Sequence, residues 1–388
     1  MLLELSPLNH AIQGAMACME SAQALRILYD GLIYRMQAAG GINRYTANLI
    51  GRLPRTFHPS LVVGQAREMN FPSHPNLRVF RQKVLGHYIV TRSIERLYFN
   101  LSTDFKRQRF DVVHPTYHFL LAKRSFAAFH CPVVVTVYDM VHELFPSVDV
   151  LGAHAREKRK ALMAAQAIIC ISENTKKDLL ERYPSLADKV TVTHLAASID
   201  ASVSYGPEPV PDRPYFLYVG SRSSYKNFDG LLSAFAQVIS ARPETRLCVV
   251  GKPFNRAERK RIAALKLPDW IEHYGFVPDN HLAKLYRCSV GFVYPSLYEG
   301  FGLPPLEAMA CGAAVIASNR ASIPEVVGDA GWLFDPAASG EMAEMMLALL
   351  DDSTARAQLI ARGRERVKRF SWDTMAAQTI AVYRSVCR

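Results

Sequence analysis

From residue 25 the chain alternates short, near-continuous apolar runs with segments of helical period, and it does so twice. The first series holds "LRILYDG" (25–31), "SLVVGQ" (60–65), "NLRVFRQ" (76–82), "DVVHPTY" (111–117), "VVVTVYD" (133–139), "AIICIS" (167–172) and "VTVTHL" (190–195). A break follows: "SIDASVSYGPEPVPDRP" (198–214) is rich in Ser, Pro and Gly and has no period. The alternation then restarts with "YFLYVG" (215–220), "RLCVVG" (246–251), "IEHYGFV" (271–277), "VGFVYPS" (290–296), "AAVIAS" (313–318) and "GWLFDP" (331–336), and three helical segments close the chain. Strands that are apolar on both faces and separated by helices belong in a parallel sheet covered by helices on both sides.

The expected class is therefore α/β, with two Rossmann-like, doubly wound parallel-sheet domains over 25–197 and 215–370. Residues 198–214 read as the linker between them. A C-terminal helix at 371–388 could pack back on the first domain. Ligands of open parallel sheets bind outside the carboxyl ends of the strands, so two such domains face each other across a deep cleft. Residues 1–24 contain no Lys or Arg, and Glu4, Pro7 and Asn9 interrupt their apolar residues. They lack the pattern of a secretory signal and read as a disordered extension, or as a start placed too early, with Met16 and Met19 as other starts.

Charge narrows the partners. The net charge is +11; +8 of it falls in residues 1–200 and +3 in residues 201–388. That asymmetry points to an anionic partner on the first domain. The segment "HYIVTRSIERLYFNLSTDFKRQRF" (87–110) puts Ile94, Leu97, Tyr98, Leu101 and Phe105 on one stripe with basic residues around it. It reads as a surface helix packed on the sheet, or as a helix drawn to anionic lipid, with "REKRK" (156–160) adding to that surface. The expected location is the cytoplasm, with a peripheral position on the inner face of the cytoplasmic membrane as the alternative. No base-stacking aromatic series accompanies the charge, so nucleic acid is not expected. The seven cysteines form no CxxC pair, which argues for a reducing compartment and buried thiols. No zinc-like Cys/His spacing and no Asp-x-Asp dyad occurs, and neither a metal nor a cofactor is expected.

The densest chemistry lies in "YPSLYEGFGLPPLEAMACG" (294–312). A strand runs through a loop into a short helix that Pro304 and Pro305 start and Gly312 ends. Gly300 and Gly302 allow close backbone approach, and Phe301 between them looks exposed. Free N–H groups at the helix start make an anion site. Glu307 falls on the first turn and Glu299 in the loop before it, flanking that site. The pair can accept hydrogen bonds from two separate hydroxyl-bearing groups. A ligand with phosphate in the middle and polyols at both ends fits this arrangement, which describes a nucleotide sugar. Taken alone, the two glutamates could be a helix-start charge and a turn residue.

A second piece is "YVGSRSSYKNFDGLL" (218–232), where Arg222 and Lys226 stand between a strand end and a helix start. A guanidinium fork and an ammonium point charge both suit a diphosphate, though singly each could be a solvated surface cation. A third, "AAGGINRYTANLI" (38–50), opens a helix on Gly40 and Gly41; Asn43 and Arg44 follow, the latter alternatively a plain surface charge. It is not GxGxxG, which disfavours a dinucleotide site.

These motifs resemble the signature of the retaining glycosyltransferases of family 4, which have the GT-B fold, and the resemblance runs from about residue 25 to near the end of the chain. It implies that Glu307 binds the nucleotide ribose and that Glu299 faces the donor sugar. Backbone amides around Gly300, Phe301, Gly302 and Leu303 would hold sugar hydroxyls and phosphate. Arg222 and Lys226 would neutralise the leaving diphosphate, and Gly40 and Gly41 would approach the donor phosphates and the acceptor. In "VVVTVYDMVHELFP" (133–146) many relatives carry His-Asp where this chain has Tyr138-Asp139. That departure leaves Asp139 and His142 as the candidates for orienting acceptor or donor hydroxyls, with His142 alternatively a loop histidine. In "HPTYH" (114–118), His114 and His118 are further acceptor-side candidates, with Asn43 and Arg44. Ser172 and Glu173 read first as a helix cap.

Within the family the paired segments look most like bacterial mannosyltransferases of surface-polysaccharide assembly. The expected donor is GDP-mannose, with UDP-glucose, UDP-GlcNAc or dTDP-rhamnose as alternatives, and the expected acceptor is a lipid-linked or oligosaccharide chain. Two rivals share the fold: a nucleotide-sugar epimerase, which needs further cleft carboxylates, and a non-catalytic scaffold subunit, which loss of Glu307, Arg222 or Lys226 would have suggested.

Overall fold

The computed structural model describes residues 24–37, 40–64, 71–82, 95, 108–121, 125–203, 206–338 and 340–387. The first series of apolar runs builds β1 (Arg26–Asp30), β2 (His58–Val63), β3 (Arg78–Arg81) and β4 (Val112–Val113) in the order β3-β2-β1-β4. It continues through β5 (Val134–Val137), β6 (Ala167–Cys170) and β7 (Val190–Val192), paired in that order. A parallel bridge from Val113 to Val133 joins the two ribbons into one sheet. The second series builds β8 (Tyr215–Val219), β9 (Arg246–Val250), β10 (Ile271–Gly275), β11 (Gly291–Tyr294), β12 (Val315–Ser318) and β13 (Trp332–Phe334). Their order, β10-β9-β8-β11-β12-β13, is the doubly wound order with its crevice between β8 and β11. All of these pairings are parallel.

Burial explains the composition of the strands. β5, β6, β11 and β12 are buried at every position, because helices cover both faces. Residues 198–203 and 206–214 contain no helix or strand. The basic segment 87–110 lies outside the described residues, apart from 95 and 108–110, as does the extension at 1–23. Among the described residues no helix is long and apolar enough to cross a membrane.

The last helix, Trp372–Val386, leaves the second domain and packs on the first. Its buried stripe runs Trp372, Met375, Ala376, Thr379, Ile380, Val382 and Tyr383, the spacing of one helical face. Trp372 Nε1 donates to the Ala197 carbonyl at 2.9 Å, and the Tyr383 hydroxyl lies 3.1 Å from that of Tyr29. Further contacts tie the domains together at the carboxyl ends of their strands. The Tyr298 hydroxyl donates to Asp178 at 2.8 Å and accepts from the Met140 N–H at 3.0 Å. Glu325 accepts the N–H groups of Glu173 and Asn174 at 2.8 and 3.1 Å, and lies 2.6 Å from His194 Nε2. The cleft is thus closed along one side by side chains from both domains.

Candidate active site

The loop after β11 is the centre of the cleft. The helix it feeds runs Leu303–Cys311, and its cap, Gly302, has φ 113°, a conformation that only glycine adopts without strain. Glu307 is consequently the fifth helical residue, not a first-turn residue as the sequence suggests, and it is buried. Phe301 is also buried rather than exposed. Its ring packs against Phe370 at 5.7 Å and near His194 at 6.1 Å, so only its backbone can serve a ligand. Ser322 holds the loop from below, donating to the carbonyls of Glu299 and Phe301 at 2.8 Å each.

Gly300 is a point of close approach between the domains. Its carbonyl accepts from Ser172 Oγ at 2.6 Å and Thr175 Oγ1 at 3.0 Å, both at the start of the helix Glu173–Arg182. A Cβ at Gly300 would overlap the Tyr138 carbonyl and come within 3.0 Å of Asp139 Cβ. Ser172 does cap its helix, accepting from Thr175 N at 2.9 Å, but its hydroxyl also grips the glycine loop. That second role, with those of Thr175, Tyr298 and Glu325, was not readable from local pattern.

Two ion pairs occupy the glutamates. Lys226 Nζ lies 2.7 Å from both oxygens of Glu299, in a pair that is mostly enclosed. Burial works against the Lys226 ammonium, but the Glu299 carboxylate, helped by Tyr225, outweighs it and holds the group above its ordinary range. Arg44, from the helix Gly41–Gly51 of the first domain, reaches across the cleft. Its Nη1 donates to Glu307 at 3.1 Å and its Nη2 to Asp279 at 2.6 Å, so it is an interdomain bridge rather than a surface charge. Burial pushes the Glu307 carboxyl from 4.5 up to about 7, although Arg44 opposes the shift. Gly41 lies beside the helix start, where an added Cβ would meet Leu303 Cδ1 at 3.1 Å. Gly40 caps the helix of Arg44.

Arg222 is enclosed, not a solvated cation. Its Nε donates to Glu258 at 2.8 Å, its Nη2 donates to the Lys252 carbonyl at 2.7 Å, and its guanidinium lies 4.8 Å from the Phe254 ring centre. Its Nη1, together with Asn43 Nδ2 and His142 Nδ1, is buried without a hydrogen-bond partner among the described residues. Buried polar atoms of this kind call for a partner, and in a cleft a ligand can supply it.

On the first domain, Asp139 is partly exposed and accepts from the Val141 N–H at 3.1 Å. Lys158 donates to its carbonyl at 2.8 Å and to Glu143 at 2.8 Å. His142 stacks on His154 at 4.4 Å, and burial with the Lys158 charge pushes its pKa down to about 4. His118 is buried, its Nε2 3.2 Å from His154 Nδ1, and burial holds it well below the usual range. These histidines flank a cavity of about 300 Å3 lined by Arg35, Met36, Phe119 and His154. His114 is different. It sits beneath the last helix with both ring nitrogens engaged, by the Tyr383 hydroxyl at 2.6 Å and by Thr136 Oγ1 at 2.7 Å. Burial pushes it down to about 3, and it is removed from the set of acceptor contacts. Among the described residues no group of three or more His, Cys, Asp or Glu side chains is placed to hold a metal ion.

Comparison with known proteins resolves the lineage. Residues 39–200 match Glycosyltransferase Family 4 and residues 206–366 match Glycosyl transferases group 1. An MMP alpha-(1->4)-mannosyltransferase of Mycolicibacterium hassiacum is 30% identical over 298 residues, 72% of this chain and 71% of that protein. The chain belongs to glycosyltransferase family 4. A further relative, O-antigen chain mannosyltransferase B of Escherichia coli, is 35% identical over 237 residues, 58% of this chain and 62% of that protein, so the matched part is less than two thirds of its length. Sucrose-phosphate synthase from Thermosynechococcus elongatus superposes with a TM-score of 0.72 at 23% identity, covering 94% of this chain and 99% of that one. That likeness identifies the architecture as GT-B.

Proposed function

We propose that this family 4 protein is a retaining glycosyltransferase that moves a hexose from a nucleotide sugar to a lipid-linked or oligosaccharide acceptor. The observation that carries the reading is the pair of ionic contacts on the glycine loop and the helix it feeds, Lys226 with Glu299 and Arg44 with Glu307. Each joins a cation to a carboxylate that a polyol phosphate ligand would engage separately. The donor lies on the second domain. Its ribose hydroxyls donate to Glu307, its sugar hydroxyls to Glu299, and its diphosphate takes the charge of Lys226 and Arg222 together with the N–H of Leu303, since Pro304 and Pro305 have none to give. Those cations stabilise the departing diphosphate as the glycosidic bond breaks, so the reading calls for no divalent ion.

The acceptor approaches from the first domain, past Asp139 and His142, with Gly40, Gly41 and Asn43 beside the donor phosphates. Attack from the face the diphosphate leaves, with a donor phosphate oxygen taking the acceptor proton, gives net retention. Closure at Gly300 excludes water and limits donor hydrolysis. Mannose from GDP-mannose is the favoured sugar, supported by the names of the two mannosyltransferase relatives. A role in surface-polysaccharide assembly follows from the O-antigen relative, and a lipid-borne acceptor would bring the protein to an anionic membrane face. The test is a panel of nucleotide sugars scored by thermal shift and by transfer to a membrane lipid extract. Binding of a nucleotide sugar without transfer or hydrolysis under any acceptor would refute it.

A further inference from the structure

The segment after His142 carries an apolar edge that the glycosyl-transfer chemistry does not use. Val150 and Leu151 are 84% and 80% exposed, side by side at the tip of a turn. Leu144 at 48% and Val148 at 39% lie on the approach to that tip. Isolated exposed aliphatics are ordinary, but a continuous edge of them is a contact surface. The chain then turns at Gly152 into the helix Ala153–Ala164. Arg156, Arg159, Lys160 and Met163 are exposed on that helix, at the spacing of a single face. Lys158, Ala161 and Leu162 are buried on the other face.

Two of the acids nearby are withdrawn from this surface, and the third, Glu157, is partly exposed and paired on it. Asp149 is turned inward, accepting from the Ala155 N–H at 2.9 Å. Glu143 is buried against Lys158 at 2.8 Å, and Glu157 is paired with Lys160 at 2.7 Å. What faces outward is an aliphatic tip beside a cationic, Met-ended helix face.

We infer that this edge docks on an anionic lipid bilayer, with Val150 and Leu151 entering the headgroup boundary and Arg156, Arg159 and Lys160 lying on the phosphates. Apolar insertion combined with cationic attraction is the chemistry of interfacial binding, and each basic side chain near such a surface adds to it. A protein partner of opposite charge would match the basic residues but would leave no reason for two adjacent aliphatics to stand clear of the fold.

The edge also lies at the mouth of the acceptor side. His154, on the first turn of the same helix, lines the 300 Å3 cavity with Arg35, Met36 and Phe119 and stacks on His142. A bilayer held at Val150 and Leu151 would therefore present its headgroups to that cavity. This second step rests on the transfer reading; the docking itself does not.

The test is co-sedimentation of the full chain with vesicles of phosphatidylcholine alone and of phosphatidylcholine with phosphatidylglycerol. The wild type should sediment with the anionic vesicles only, and added salt should release it. V150D/L151D and R159E/K160E should each weaken that binding about tenfold or more. V150D/L151D should keep the thermal shift given by a nucleotide sugar and its transfer to a soluble oligosaccharide acceptor. Equal binding of wild type and both variants to anionic vesicles, or no wild-type binding at all, would overturn the inference. So would a dimer in sedimentation velocity that V150D/L151D dissociates, since a second copy would then cover the edge. Loss of nucleotide-sugar binding in every variant and the wild type would instead count against the transfer reading and leave the lipid contact standing.

Discussion

Glu307 should make donor binding depend on pH. Its carboxyl is buried and its pKa is pushed up to about 7, while the hydroxyls of a ribose need an ionised acceptor. If only the carboxylate binds, the donor Kd should rise about tenfold between pH 8 and pH 6, since each pH unit below the pKa costs a factor of ten, about 1.4 kcal/mol. The assay is calorimetric titration of the nucleotide sugar without acceptor, because its diphosphate diester does not itself titrate in that range. His142, held at about 4, stays neutral across the same window. Glu307→Gln should bind more weakly at pH 8 and should show no such slope.

The same group carries a stability signature. Because its folded pKa lies above the unfolded one, the folded state holds the proton more tightly. Its stabilising contribution is full below about 4.5 and is lost as pH rises through about 7. Glu307→Gln should therefore gain stability relative to wild type on going from pH 4.5 to pH 8, by about 3 kcal/mol at most. A flat donor Kd in the wild type, or an unchanged slope in Glu307→Gln, would refute the assignment of this carboxylate to the ribose.

Arg44→Ala removes the cation that holds Glu307 down, so the midpoint of the pH profile of donor binding should move upward; a downward or unmoved midpoint would disprove the bridge. Lys226→Ala should lower kcat about a hundredfold or more, as loss of a leading electrostatic group does, and rapid-quench turnover near wild type would contradict its role at the diphosphate. Gly300→Ala should keep the folded domains but prevent closure, because the new methyl would overlap the Tyr138 carbonyl. Small-angle scattering should then report a more open molecule and kcat should fall at least about tenfold, whereas wild-type dimensions and rate would show that the approach is not required.

The fold was legible because period alone separates buried parallel strands from the helices between them, and β1, β6, β8 and β11 fall within the apolar runs. β4 is confined to Val112–Val113: Pro115 has no N–H to give the β5 side, although the His114 and Thr116 N–H groups still reach the Leu28 and Asp30 carbonyls of β1 at 2.8 and 3.0 Å. Glu299 with Glu307, and Arg222 with Lys226, stand out as candidates because turn glycines, prolines and charges sit close together in sequence. What could not be read were long-range choices of partner. Arg44 finds Glu307 across 263 positions, Ser172 finds Gly300 across 128, and Glu325 reaches Asn174 across 151. Nothing local announces such contacts. The burial of His114 and Phe301 escapes local pattern for the same reason, since Tyr383 and Phe370 from the last stretch of the chain pack against them.

The central claim is transfer with retention, and one measurement addresses it most directly. The protein is incubated with GDP-mannose and a membrane lipid extract, and the product linkage is read by NMR while nucleotide release is counted. The account predicts one GDP released per sugar transferred and an α-linked mannose, the configuration of the donor. A β-linked product, or a donor that is bound and returned unchanged or epimerised, would contradict it.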